Sequence, residues 1–125
     1  MLLSLLGAAA LPLTLTAAAP TDATTADLRC VAAFAMAGGM EGQTAEARQG
    51  ITGAFMYYIG RIDARDPNYD LQGQLTRLLG SPGVDQQLQA DAKRCGAEMA
   101  RRGSEITALG QAIENAGNGS AKPAR

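Results

Sequence analysis

The amino-acid sequence predicts an all-α fold, a small four-helix bundle closed by one disulfide bond. Three observations lead to this prediction. Apolar residues recur at steps of three and four in four separate stretches, which places them on one face of a helix. Glycine and proline clusters separate these stretches. No segment alternates apolar and polar residues in the manner of a half-buried strand.

Length and composition limit the possible functions. The 125 residues allow one domain with a core of modest size. A net charge of -1, with both signs interspersed, provides no field that would attract nucleic acid or anionic lipid. The chain has no histidine, which is the commonest general base and metal ligand, and its two cysteines are far apart. We therefore expect no nucleic-acid partner, no metal site and no cofactor.

Residues 1–19 have the composition of a signal peptide. They are rich in Leu and Ala, carry no charge, and end in three alanines that suit signal peptidase. The alternative is an uncleaved membrane anchor, because an 18-residue apolar run approaches the length of a span. Pro12, Thr14 and Thr16 interrupt that run and favour cleavage. We expect a periplasmic or secreted protein, with membrane contact only if the segment is retained.

The helical domain is expected to span residues 24–116, and its first helix to begin at Thr24. Asp27 stands at the third position after Thr24, which is a variant of the capping box. Gly38 and Gly39 mark the end of the helix. The predicted buried face consists of Leu28, Val31, Ala32 and Ala35.

The second, central helix is expected to start near Thr44 and to end before Pro67, since the residue before a proline disfavours helical geometry. Its predicted core face is Ile51, Phe55, Ile59 and Ile62, extended by Tyr58. Three glycines interrupt this helix at Gly50, Gly53 and Gly60. Because an interior glycine costs a helix about 1 kcal/mol relative to alanine, we interpret them as sites of close packing against another backbone.

Two further helices complete the bundle. Asp70 is placed to cap a short helix buried through Leu71, Leu75 and Leu78 or Leu79. Residues 80–83 then interrupt the helical pattern. The last helix carries a long apolar pattern of Val84, Leu88, Ala92, Cys95, Met99, Ile106, Leu109 and Ile113. The pattern slips at Arg102 and Gly103, which predicts a bend or an end to tight packing. Residues 117–125 lack apolar periodicity and are predicted to be a disordered tail.

The two cysteines predict a single structural disulfide. An exported chain with two cysteines, each in an apolar helical stripe, most simply joins Cys30 to Cys95. A redox-active pair normally has C-x-x-C spacing, and two buried free thiols do not suit an exported protein. The bond would connect the first helix to the last.

Catalytic signatures are weak in this sequence. Carboxylate pairs occur at Asp63 with Asp66 and at Asp85 with Asp91, but these spacings are equally typical of a solvated helix face. No serine motif accompanies Lys93 or Lys122, and no glycine-rich loop follows a strand. We expect no catalytic residues and no enzymatic activity. The alternative is a small hydrolase or lyase that uses carboxylates.

One group of side chains is a candidate partner-binding site. Tyr57, Arg61 and Arg65 lie at steps of four along the central helix and form a ridge of residue types that are common at protein interfaces. The alternative is that Arg61 pairs with Asp63, Asp66 or a carboxylate of another helix, while Tyr57 covers the edge of the core.

The segments DLRCVAAFA, YYIGRIDARDP and AKRCGAEM, together with the signal segment, resemble a group of small exported α-helical proteins of proteobacteria whose function is unknown. The resemblance implies export and a helical fold, and it implies no activity. In architecture, though not in motif, the chain is similar to periplasmic acid-stress chaperones. From these observations we expect a partner-binding or chaperone-like module. The remaining alternative is a membrane-anchored structural protein of the cell envelope.

Overall fold

The computed structural model describes residues 22–120, which form four α-helices. The helices are α1 (Ala23–Gly38), α2 (Ala45–Arg65), α3 (Leu71–Leu79) and α4 (Val84–Ser120). The described part of the chain contains no strand, so the predicted all-α fold class is confirmed. The predicted signal peptide, residues 1–19, lies outside the described residues. No helix between residues 22 and 120 is long and apolar enough to cross a bilayer.

Helix α1 is the central element, and α2, α3 and α4 each pack against it. Its antiparallel arrangement with α2 is seen at the two ends of the pair, where Arg65 reaches Asp27 and Ile51 lies beside Gly38. Residues of α1 contribute to both apolar clusters of the core. The buried apolar side chains are Leu28, Cys30, Val31, Ala32, Ala33, Ala54, Tyr58, Ile62, Val84, Leu88 and Cys95.

The start of α1 differs from the prediction. Asp22, and not Thr24, occupies the N-cap position, and its side chain makes no capping hydrogen bond. Asp27 does not close a capping box, because its carboxylate is buried and faces two arginines of α2. Ala35 was predicted to be buried and is exposed. The helix ends at Gly38 with Gly39 as its C-cap, as the sequence predicts.

Helix α2 has the predicted limits, but the centre of its core face is shifted. The Thr44 hydroxyl caps the helix by accepting from the Ala47 amide at 3.1 Å, and the helix ends at Arg65. The most buried residues are Ala54, Tyr58 and Ile62. Of the predicted core face, Ile62 and Tyr58 are fully buried. Phe55 and Ile59 are half-buried and pack against the core, and Ile51 is half-buried. The predicted face is therefore confirmed in part, and its centre is shifted toward Ala54.

The glycines of α2 do not mark helix crossings. Around Gly50, Gly53 and Gly60, a Cβ atom built on the backbone would meet no atom of another described helix or loop within 4 Å. The interpretation of close packing is wrong for these three positions. The small residue that faces the core of the bundle is Ala54, which has an exposed fraction of 1%.

Helix α3 begins as predicted, with the Asp70 carboxylate accepting from the Gly73 amide at 3.0 Å. None of its residues is fully buried, and Leu71, Leu75 and Leu78 pack on the core from one side while Leu79 is exposed. The turn to α4 contains Gly83 at φ +73°, a conformation that favours glycine.

Helix α4 is continuous through Arg102 and Gly103 and extends to Ser120. Residues 117–120, predicted to be disordered, are therefore helical, and 121–125 lie outside the described residues. The predicted end to tight packing does occur at Arg102. Val84, Leu88 and Cys95 are buried, but Ala92 is exposed. Three residues predicted to belong to the core are also exposed, and they are Ile106, Leu109 and Ile113.

A disulfide joins Cys30 of α1 to Cys95 of α4, with the two Cα atoms 5.6 Å apart. The predicted pairing is confirmed. Both cysteines are fully buried within the main apolar cluster, beside Tyr58 and Ile62. The bond links positions 65 residues apart in sequence, and this separation restricts the unfolded chain strongly.

We expect removal of this bond to destabilise the protein severely. For a loop of this length, the chain-entropy relation gives a loss of about 4 kcal/mol, which is comparable to the whole stability of many small domains. Urea unfolding of the wild type should shift to much lower denaturant on addition of reductant, and the Cys30→Ala/Cys95→Ala variant should be shifted equally in both conditions. Unfolding curves that are insensitive to reductant would contradict this expectation.

Candidate functional site

Tyr58 lies at the centre of the bundle and brings a hydroxyl group to the edge of the core. Its ring is fully buried and stacks on Phe34 with centroids 6.1 Å apart. The hydroxyl lies 3.1 Å from Glu98 Oε2 and 3.2 Å from the Cys95 carbonyl oxygen, and donates toward both. Burial, followed by the charge of Glu98, raises the pKa of Tyr58 well above its ordinary value. The hydroxyl therefore remains a donor at any physiological pH.

Tyr57, next in sequence, uses its whole hydrogen-bonding capacity. Its hydroxyl donates to Glu98 Oε1 at 2.9 Å and accepts from Arg61 Nη1 and Arg102 Nε, each at 3.0 Å. A phenol has one donor and two acceptor sites, so this group is saturated within the chain. The guanidinium carbons of Arg61 and Arg102 also lie 5.3 and 5.8 Å from the Tyr57 ring centroid, within the range of cation–π attraction.

Glu98 is the acceptor that these donors share. Its two carboxylate oxygens accept from Tyr57, Tyr58 and Arg61, the last at 2.5 Å. Burial alone would favour the neutral acid, but the hydrogen bonds from Tyr57, Arg61 and Tyr58 outweigh it and lower the pKa of the Glu98 carboxyl. Glu98 is therefore ionised at neutral pH. We refer to Tyr57, Tyr58, Arg61, Glu98 and Arg102 as the tyrosine–arginine cluster.

Asp27 connects this cluster to α1. Its carboxylate has an exposed fraction of 2% and lies 3.1 Å from Arg61 Nε and 2.7 Å from Arg65 Nη1. Arg61 therefore bridges two carboxylates that belong to different helices, Asp27 of α1 and Glu98 of α4. This bridge holds three helices in register at one level of the bundle.

A second group of charges lies at the contact between α1 and α4. Asp91 is buried and forms ion pairs with Arg29 at 2.6 Å and Arg94 at 3.1 Å. Arg94 also donates to the Ala26 carbonyl oxygen at 3.1 Å. Both buried aspartates of the described chain are thus neutralised by a pair of arginines, as a buried carboxylate requires.

The predicted ridge of Tyr57, Arg61 and Arg65 is assembled on α2, but all three side chains are engaged by other parts of the same chain. Of the two interpretations that the sequence allowed for Arg61, the structure shows the pairing with carboxylates of other helices, although these are Asp27 and Glu98 and not Asp63 or Asp66. A partner that used Arg61 would have to compete with these bonds. Arg61 and Arg65 retain about a third of their side-chain surface.

Sequence reasoning missed six members of these groups, which are Asp27, Arg29, Asp91, Arg94, Glu98 and Arg102. The spacing of residues along α4 contained a signal for three of them. Asp91, Glu98 and Arg102 continue the steps of three and four that run through Val84, Leu88 and Cys95, so each stands where an apolar residue is due. Charged residues at core positions of two helices predict buried ion pairs between those helices.

An apolar groove is a separate feature, located between the second half of α1 and the start of α4. It has a volume of about 250 Å³. Its walls are almost entirely apolar, and the two methionines among them are exposed. We call this feature the methionine groove, and its lining residues are Ala33, Met36, Ala37, Met40, Leu88, Gln89 and Ala92.

Metal ligation is not supported by the arrangement of these side chains. Between residues 22 and 120, no three His, Cys, Asp or Glu side chains are grouped closely enough to hold an ion. The carboxylates of both charged groups are paired with arginines, and Glu98 also accepts from two tyrosines. Together the fold and these groups define an all-α bundle closed by a disulfide, with buried ion pairs and an open apolar groove.

Comparisons with protein-family profiles, curated proteins and solved structures found no match to this chain. The resemblance to small exported proteobacterial proteins therefore remains a prediction.

We expect the Glu98→Gln variant to show the contribution of the ionised carboxylate. Because the pKa of Glu98 is lower in the folded state, its charge stabilises the fold at pH values above its ordinary pKa, about 4.3. This contribution is lost as the pH falls through the folded pKa. At neutral pH the variant should be less stable by about 1.5 to 3 kcal/mol, and the difference from wild type should shrink in acid.

Urea unfolding of both proteins between neutral and strongly acid pH measures this difference. Glu41→Gln is the matched control, because Glu41 is exposed and changes the net charge equally. A Glu98→Gln difference that stays constant with pH, or a control that behaves identically, would contradict the role assigned to Glu98.

We expect Arg61 and Arg65 to be strongly coupled through Asp27. After either single change to alanine, the remaining arginine still pairs with the buried carboxylate. The double variant leaves that carboxylate uncompensated, which costs about 3 kcal/mol or more. A double-mutant cycle should therefore give a loss for the pair that exceeds the sum of the single losses by about 1 kcal/mol. Repeating the cycle with Asp27→Asn should remove the coupling, and additive losses would show that Asp27 does not link the two.

Proposed function

We propose that this protein is an exported binding module that holds apolar segments of other proteins and carries out no catalysis. The observation on which the proposal rests is the methionine groove, an open apolar channel between α1 and α4. Methionine side chains are flexible and polarisable, and they suit surfaces that accept varied apolar partners. A chaperone-like role needs a surface of this kind.

Export is part of the proposal and has two supports. Residues 1–19 have the composition of a signal peptide. The buried disulfide is typical of proteins that fold in an oxidising compartment. The periplasm or the extracellular space provides such conditions, and no bilayer-spanning helix occurs within residues 22–120.

The absence of catalysis is proposed from the state of the acids. A carboxylate-dependent hydrolase or lyase needs two converging acids, one of them free to exchange protons. In the described bundle, Asp27, Asp91 and Glu98 each accept from at least one arginine. These pairs stabilise the ionised form and leave the carboxylates acting as structural anions.

We expect the protein to suppress aggregation of an unfolding client, and we expect the methionine groove to be required. The variant Met36→Gln/Met40→Gln keeps side-chain length but makes the groove polar. Light scattering of a thermally unfolded model client, at neutral and at acid pH, should show protection by the wild type and at least a several-fold loss of protection by the variant.

The matched control is Met56→Gln, because Met56 is about as exposed as Met40 but lies on α2, away from the groove. A second control, Arg65→Gln, tests the ridge, since Arg61 still neutralises Asp27 in that variant. Wild-type protein that gives no protection at either pH would overturn the chaperone-like role. Loss of protection in Arg65→Gln alone would move the binding site to the ridge.

A further inference from the structure

The methionine groove presents two thioether side chains to solvent. Met36 lies in the last turn of α1 and Met40 follows the end of that helix, and their exposed fractions are 45% and 68%. Leu88, the other large apolar residue of the lining, has an exposed fraction of only 2%. An apolar partner would therefore touch chiefly the two methionines and the neighbouring alanines, so the chemistry of two sulfur atoms sets the polarity of the groove.

Met40 also lines a second depression, which is polar. Next to Met40 this depression contains Glu41, Gln43 and Arg48, whereas Gln89 is the single polar side chain among the residues that line the groove. Met40 thus stands between two described surfaces of opposite polarity. As a thioether it suits the apolar side, and as a more polar group it would suit the side that holds the guanidinium donors of Arg48.

The sulfur atoms that a mild oxidant can attack in this chain are those of methionine. Both cysteines are joined in the buried disulfide, so no thiol competes for the oxidant. Of the described methionines, Met36, Met40 and Met56 are exposed, whereas Met99 is half-buried and packs on the main apolar cluster. An oxidant should therefore convert the two groove methionines before it reaches the core.

We propose that peroxide oxidises Met36 and Met40 and thereby closes the groove to apolar partners. A lone pair of the thioether sulfur attacks one oxygen of hydrogen peroxide, a sulfur–oxygen bond forms, and the oxygen–oxygen bond breaks. The transferred oxygen passes its proton to the departing hydroxide, so the products are methionine sulfoxide and water. The sulfur loses two electrons and the peroxide gains them. This regulation rests on the proposed function, because it acts on the same groove.

A sulfoxide opposes binding because its oxygen is a hydrogen-bond acceptor that needs a donor or water. An apolar segment seated in the groove would remove the water, and a buried acceptor without a donor is costly. Among the lining side chains of the groove, only Gln89 carries N–H donors. The oxidised Met40 side chain has a better position in the polar depression, where Arg48 provides donors. Oxidation thus makes the groove polar and also draws Met40 out of its wall.

The proposal is tested by treating the mature protein with hydrogen peroxide and following each methionine by peptide mass spectrometry. Binding of the neutral apolar dye Nile red measures the groove, and the groove-dependent part of this binding is the part that the Met36→Gln/Met40→Gln variant lacks. We expect conversion of Met36 and Met40 to weaken the groove-dependent binding of the wild type at least tenfold. Protection of the model client should fall in parallel.

The variant Met36→Leu/Met40→Leu is the main comparison, because it keeps the groove apolar and removes both sulfur atoms. It should bind the dye as the untreated wild type does and should keep this binding after peroxide. Met56→Leu is the matched control, since it removes an exposed methionine outside the groove and should remain sensitive to peroxide. Met99 is present in all of these proteins, so damage to the core would appear in each of them.

Unchanged dye binding after Met36 and Met40 are converted would overturn the proposal, as would equal losses in the wild type and in the leucine variant. Slower conversion of these two residues than of Met99 would also contradict it. Untreated protein that binds the dye in the groove but gives no client protection contradicts the chaperone-like role alone, because the response of dye binding to peroxide still tests the oxidation. Groove-dependent dye binding that is absent before treatment would overturn both.

Discussion

The disulfide between Cys30 and Cys95 is the constraint on which the rest of the structure depends. Only eleven apolar side chains of the described chain are fully buried, and a core of this size provides little stability of its own. The bond lies inside that core and fixes α1 against α4 at the level where Tyr58 of α2 also packs. One covalent link thus restrains the unfolded chain and fixes α4 against α1 at the level where α2 packs on both cysteines.

The polar groups around the disulfide favour one arrangement of the packed helices. Buried ion pairs contribute little net stability compared with apolar packing, but a broken pair is costly. Asp27 and Glu98 restrain the rotation of α2, because Arg61 pairs with both carboxylates in the packing that buries Tyr58. Asp91 does the same for α1 and α4 through Arg29. We infer that these charges select one packing of helices whose faces are rich in small residues and could otherwise slide.

One end of the bundle is closed by charged side chains, whereas two apolar surfaces of the protein are exposed. The tyrosine–arginine cluster closes the level at which α4 leaves the bundle, since Arg102 covers Tyr57 and also pairs with Glu105. Beyond this level α4 continues alone, and on the other side of the disulfide the methionine groove separates α1 from α4. Binding of other chains, and not chemistry within the domain, is the use that such surfaces suggest.

The sequence by itself determined the helices and the disulfide, and the tertiary structure alone decided which faces are buried. Helix limits depend on local signals such as the Thr44 and Asp70 caps, Gly39 and Pro67, and these act within a few residues. Whether a helix face is buried depends on which other element of the fold packs against it. The stripe of Ile106, Leu109 and Ile113 has as clear a period as any in the core, yet no described helix faces it. On α2, the buried face is centred on Ala54, Tyr58 and Ile62, with Phe55 and Ile59 at its edge, because the positions of the neighbouring helices decide which side of α2 is covered.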